Sequence, residues 1–216
     1  MRPTPLSFGS IPRPAFGSAK QHLDAPAGAA PRRTTKADRR YTRAALLAAE
    51  LLPERPRPGE AVHALMLGTF DLCQVIGATA QLLPDLRHLR IATLCYSKRN
   101  AAELCSLVAA RPGRALTLLV SVFFVANNKA GHEKTVAELT AYPNVKIGAA
   151  RNHCKVVTFD FGKDDGFVFE GSANLRANKN REQLAVFRGR PLHDFHATWI
   201  DDLVSQRHAE EEGRKG

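Results

Sequence analysis

The stretch RNHCKVVTFDFGKDDGFVFEGSANLRANKNREQLAVF, residues 151–187, decides how this chain is read. His153, Lys155 and Asp160 stand in the spacing H-x-K-x4-D. Gly171, Ser172 and Asn174 follow as G-S-x-N, and Asn180, Arg181 and Glu182 as N-x-E. At ordinary residue frequencies the first spacing arises by chance in roughly one chain of this length in a hundred, and requiring G-S-x-N downstream lowers that by another factor of about a hundred. A lone His on a strand is usually packing or solvated surface. Here alternation turns His153 and Lys155 to one face and Cys154, Val156 and Thr158 to the other, into packing. An imidazole beside an ammonium suits a phosphodiester, because a fixed cation offsets the charge that repels a nucleophile and that grows in the transition state. Lys155, Ser172 and Asn174 are the expected cradle for the phosphate oxygens. By the same alternation Asp160 lies on the opposite face and is expected to be structural.

Outward from this segment, strand-like and helix-like blocks alternate. Val62–Leu67, His88–Tyr96, Ala115–Val125 and Val145–Ala149 read as strands. Leu72–Leu83, Asn100–Ala110 and His132–Ala141 read as helices between them. His153–Phe161, Gly166–Gly171 and Leu184–Arg188 add neighbouring strands, and a last helix starts near Pro191 with Trp199, Ile200 and Leu203 on its buried face. The expected fold is α/β, a mixed sheet flanked by helices, over residues 61–210. Residues 37–60 hold a short helix from Asp38 to Leu52, with Leu46, Leu47 and Leu51 as its apolar edge, and a proline-rich linker. Residues 1–36 read as a disordered, basic, Pro-rich arm. Cys105 is expected in the core, and His193 and His196 on a solvated helix start.

The motif closely resembles the signature of the phospholipase D superfamily, H-x-K-x4-D followed by G-S-x-N. The resemblance covers the last third of the chain and implies a phospholipase D-like fold. It also implies roles: His153 as the nucleophile that forms a phosphohistidine, Lys155 and Asn174 as phosphate ligands, and Glu182 as acceptor for the far nitrogen of the histidine ring. The leaving oxygen needs a general acid, which in this family is the histidine of a second motif. The full H-x-K-x4-D spacing occurs once in this chain, since His132-Glu133-Lys134 has no Asp at the matching position, so the resemblance implies a homodimer with a shared site, as in the small bacterial endonuclease-like branch. It implies neither metal nor cofactor. Ten residues separate Asp160 from Gly171, more than the usual family spacing; Gly162–Gly166 reads as a hairpin turn that absorbs the excess.

Composition narrows the substrate. The 216 residues carry a formal charge of +10. Residues 1–60 hold 11 Lys/Arg against 5 Asp/Glu, and residues 61–216 hold 20 against 16. Such an excess favours polyanionic partners, nucleic acid before an anionic membrane. The longest apolar run, 115–126, is too short to span a bilayer, so no stable membrane insertion is expected. Four cysteines without a C-x-x-C pair, and no apolar leader, point to a cytoplasmic protein with reduced thiols. The expected activity is that of a metal-independent nuclease on DNA or RNA. A lipid phosphodiesterase or phosphatidyltransferase, and a non-catalytic nucleic-acid-binding protein of the same fold, are the alternatives.

Overall fold

A computed structural model describes residue 44 and residues 46–68, 70–111, 113–162 and 164–213, with side chains as far as residue 206. The basic arm and the helix start at Asp38 lie outside these residues. The first helix, α1, is seen at residues 46–51. Ala44, Ala48 and Leu52 turn inward, while Leu46 is 63% exposed. This corrects the expected apolar edge at Leu46, which lies half a turn from Ala44 and Ala48, whereas Leu51 packs half-buried against the core.

The chain then runs β1 (Ala61–Met66), α2 (Leu72–Leu82), β2 (His88–Ala92), α3 (Lys98–Ala109), β3 (Ala115–Ser121), α4 (Val122–Asn127), α5 (Lys129–Thr140), β4 (Val145–Ala150), β5 (Val156–Asp160), β6 (Gly166–Gly171), β7 (Glu182–Arg188) and α6 (Arg190–Gly213). Local chemistry starts the helices. Asp71 and Gln74 form a reciprocal capping box at α2, and Ser97 caps α3. Ser121 caps α4 by accepting from Phe123 N at 3.3 Å, so β3 stops there instead of continuing to Val125.

The seven strands form one sheet in the order β1-β7-β6-β5-β2-β3-β4. β2, β3 and β4 are parallel; the pairings β2–β5, β5–β6, β6–β7 and β7–β1 are antiparallel. Alternation sorts each strand onto two layers. Val157, Phe159, Phe167 and Phe169 join Ile76, Leu89, Leu104 and Leu118 in the larger core, under α2 and α3. Each buried Phe there contributes about 2–3 kcal/mol by area. On the other face Val156 and Val168 meet Ile200 and Val204 of α6, with Trp199 and Leu203 packed beside them. The β5–β6 turn is the expected hairpin, held by Asp165, which accepts from Gly166 N and pairs with Arg188.

Three side chains depart from expectation. His193 and His196 are buried, not solvated, because α6 lies flat on the sheet. The His193 ring rests on Gly166, where a Cβ would come within 2.7 Å of it. His196 lies between Glu170 Oε1 (2.7 Å) and Trp199 Nε1 (3.0 Å). Cys105 is half-buried.

Burial also sets a pH dependence. The His88 imidazole, bonded to Thr117 Oγ1 at 2.9 Å, is pushed down to about 4 by desolvation, with Arg90 adding to the shift. Burial likewise lowers His132 and His193. Unfolded histidines titrate near 6.5, so between about pH 6.5 and 4 the unfolded chain binds protons that the native fold refuses. Stability is therefore lost as pH falls through this window. Glu103, raised by burial, works in the opposite sense but is one group against three. The urea midpoint should be level near pH 7 and fall steadily below 6.5, with a shallower fall in His88→Gln. A midpoint constant down to pH 4 would mean that the three rings protonate without leaving the fold.

Candidate active site

β2 and β3 end, β5 starts, β6 ends and β7 starts at one edge of the sheet, because Ala92 faces Val156, Val156 faces Glu170, and Gly171 faces Leu184. The carboxyl ends of parallel strands are where open α/β sheets hold their ligands. The motif residues collect there.

His153 and Lys155 lie just before β5, not on it, which corrects the strand start expected at His153. The cause is Asn152. Its Oδ1 accepts from Cys154 N at 2.9 Å and bends the chain, while its Nδ2 donates to Thr93 O at 3.1 Å. Strand alternation therefore does not bring the two side chains together; direct contact does. Lys155 Nζ lies 3.0 Å from His153 Nδ1 and 2.7 Å from His153 O. An ammonium has donors only, so Nδ1 accepts and the ring proton is on Nε2. Cys154 is exposed, contrary to the packing expected for it.

Gly171 N donates to Lys155 O at 3.2 Å and sets the second half of the motif beside the first. A Cβ at Gly171 would lie 2.3 Å from Gln183 O, so this strand crossing accepts glycine alone. Ser172 and Gln183 exchange two bonds of 3.1 Å, Ser172 N to Gln183 O and Gln183 N to Ser172 Oγ. The Ser172 hydroxyl donates to Glu182 Oε2, and Asn178 Nδ2 to Glu182 Oε1 at 2.5 Å. The Glu182 carboxylate thus holds Ser172 and Asn178 where the His153 ring was expected. Ser172 is engaged with protein groups and acts on Glu182. Asn174 Oδ1 accepts from Leu94 N (3.1 Å) and Thr93 Oγ1 (3.3 Å), which pins the amide oxygen inward and leaves its NH2 as the donor end. Asp160 lies at the far end of β5, 3.3 Å from Arg190 Nη1 of α6.

Around these groups Arg151, Arg176, Lys179 and Arg181 are exposed cations. A hollow of ≈ 750 Å³ opens beside His153, lined by Leu94, Ser121, Val122, Phe123, Ala126, Arg151 and Asn152. Burial raises the nearby Cys95 thiol although Arg176 and Lys155 pull it down.

Neither a family model nor a curated protein matches the sequence. Solved structures similar to this chain include phosphatidylserine synthase of Haemophilus influenzae Rd KW20 (15% identity, TM-score 0.48, 82% of this chain and 47% of that one). Polyphosphate kinase of Porphyromonas gingivalis aligns at 12% identity and TM-score 0.47, over 65% of this chain and 25% of that one. Yeast tyrosyl-DNA phosphodiesterase aligns at 14% identity and TM-score 0.38, over 59% and 31%. The chain spans between a quarter and about half the length of these structures. Among the described residues no helix is long and apolar enough to cross a membrane. H-x-K lies just before β5, and G-S-x-N starts at the last residue of the adjoining β6. The fold is α/β, a seven-stranded mixed sheet flanked by helices.

At this end of the sheet, two groups that sequence reasoning passed over stand out. Thr93, fully buried, takes Asn152 on its carbonyl, and its one hydroxyl proton is shared between Cys95 O (3.0 Å) and Asn174 Oδ1 (3.3 Å). Asn178 fixes the second oxygen of Glu182. The available signal was an asparagine immediately before His153 and another four residues before Glu182; Thr93 carried none, because a threonine ending an apolar strand is ordinary.

Proposed function

We propose that this chain is a metal-independent phosphodiesterase, a nuclease acting on DNA or RNA, whose active site is completed by a second copy of the chain. The observation that carries it is His153 and Lys155 in direct contact, 3.0 Å apart, at the exposed sheet edge where Asn174 also stands. His153 attacks phosphorus through Nε2, forming an N–P bond as the P–O bond to the leaving oxygen breaks. That oxygen takes a proton from His153 of the partner subunit, which then removes a proton from the water that cleaves the N–P bond. For the attack the ring proton must pass from Nε2 to Nδ1. Drawing the Lys155 ammonium onto a phosphate oxygen frees Nδ1 to hold it. Lys155 and the Asn174 NH2 stabilise the charge that develops on the non-bridging oxygens.

The reading is tested on supercoiled plasmid DNA and single-stranded RNA in excess chelator, where strand cleavage is expected. Subunit mixing tests the shared site. Adding His153→Ala chains under exchanging conditions should lower activity as the square of the wild-type fraction, because every mixed dimer lacks one imidazole. A linear fall would show that each chain works alone. Lys155→Met should lower kcat roughly 10²–10³-fold, as loss of one transition-state donor does. A raised KM at constant kcat would mean that Lys155 binds substrate and transition state equally.

A further inference from the structure

Phe123 is 70% exposed, although it directly precedes a phenylalanine that the fold does use. Phe124 turns inward, its ring 4.8 Å from that of Tyr96 and 6.4 Å from that of His132, and so anchors α4. Phe123 is not needed for that packing. Its backbone is nonetheless held at both ends: Phe123 N donates to Ser121 Oγ (3.3 Å), and Phe123 O accepts from Asn127 Nδ2 (2.7 Å). The result is an aromatic ring presented to solvent on a fixed backbone, on the wall of the hollow that His153 and Arg151 also line.

We propose that Phe123 is a stacking platform for an unpaired nucleobase of the polynucleotide whose phosphodiester meets His153. The inference rests on the nuclease reading and adds a strand preference to it. The chemistry of the hollow matches one nucleotide. Leu94, Val122, Phe123 and Ala126 offer an apolar floor to a flat base, and His153 stands where its phosphate lies. Arg151, an exposed cation on the same wall, faces the next phosphate along the chain. This pairing of apolar floor and cationic rim argues for a nucleotide over a lipid tail, which buries no charge along its length. Aromatic stacking with a cationic groove is how proteins hold single strands without reading sequence. A base inside a duplex is already stacked and paired, so it reaches Phe123 only after being turned out.

The test uses full-length protein carrying His153→Ala, so that binding is read without turnover. Fluorescence anisotropy follows a labelled single-stranded oligonucleotide and its duplex; a 2-aminopurine placed in the single strand reports stacking through quenching. Phe123→Ala should weaken single-strand binding roughly 5- to 150-fold and abolish the quenching. Duplex binding should change far less, and Phe123→Trp should restore both signals. Equal single-strand affinity with and without the ring would overturn the proposal, and so would quenching that survives Phe123→Ala. Loss of the dimer by light scattering, with single-strand affinity intact, would assign the patch to the second copy. Ring-dependent binding to phosphatidylglycerol vesicles in preference to the oligonucleotide would assign it to lipid. Plasmid cleavage by the wild type is scored separately: cleavage with no Phe123 effect refutes the platform alone, and stacking without cleavage refutes the nuclease reading alone.

Discussion

Replacing His153 with alanine should abolish hydrolysis and leave the melting temperature where it is. The side chain is exposed, and its described side-chain partner is the Lys155 ammonium, so little packing is lost with it. Exposed polar contacts of this kind are worth about 0–1 kcal/mol. The chemical cost is of another order, because the covalent route disappears entirely, and a loss of 10³-fold in kcat corresponds to about 4 kcal/mol of barrier. Steady-state hydrolysis of bis(p-nitrophenyl) phosphate, alongside thermal denaturation, separates the two quantities. A variant keeping a tenth of wild-type kcat would remove His153 from the nucleophile's role.

Gly171→Ala should do the reverse, harming the fold and the site together. Its Cβ would stand 2.3 Å from Gln183 O, a backbone atom that no side-chain rotation can move. To admit the methyl, β6 must shift from β7 just where Ser172 N bonds Gln183 O and Ser172 Oγ bonds Glu182. Forcing extra volume into packed structure costs about 1–3 kcal/mol. The upper end applies here because the obstacle is main chain. For a domain of this size that lowers Tm by roughly 6–12 °C. Activity should fall in the surviving folded fraction as well, since Ser172 and Glu182 move with the strand. A Tm within about 2 °C of wild type would show that the two strands part at small cost.

Much of this molecule is legible in residues alone. The order of strands and helices follows from alternation, from helix-length apolar blocks and from Pro191 in the first turn of the last helix, and the motif picks out the sheet edge; the caps Asp71 and Ser97 were seen only in the structure. What is not legible was decided by single side chains acting on the backbone. Ser121 ends β3 four residues before the strand end expected at Val125, since Val122 and Phe123 are apolar whether they lie in a strand or on an exposed helix. Asn152 keeps His153 and Lys155 off β5 by offering Cys154 N a closer acceptor than the next strand. The burial of His193 and His196 depends on where α6 lies across the sheet, which no local pattern in residues 190–200 encodes. The partners of Glu182 were misjudged for a similar reason: Asn178 and Ser172 reach it first across a short loop.

Thr93 has a consequence for how this site can be inherited or engineered. Its carbonyl orients Asn152, 59 residues downstream, and its hydroxyl meets Asn174, 81 residues downstream. Both asparagines flank the reacting groups, yet the atom pair that meets them belongs to Thr93, the residue just after β2. The last third of the chain is therefore not a portable cassette. Spliced onto a foreign sheet, the H-x-K and G-S-x-N segments would arrive with their residues intact and without the main-chain carbonyl and the hydroxyl of residue 93 that their asparagines meet.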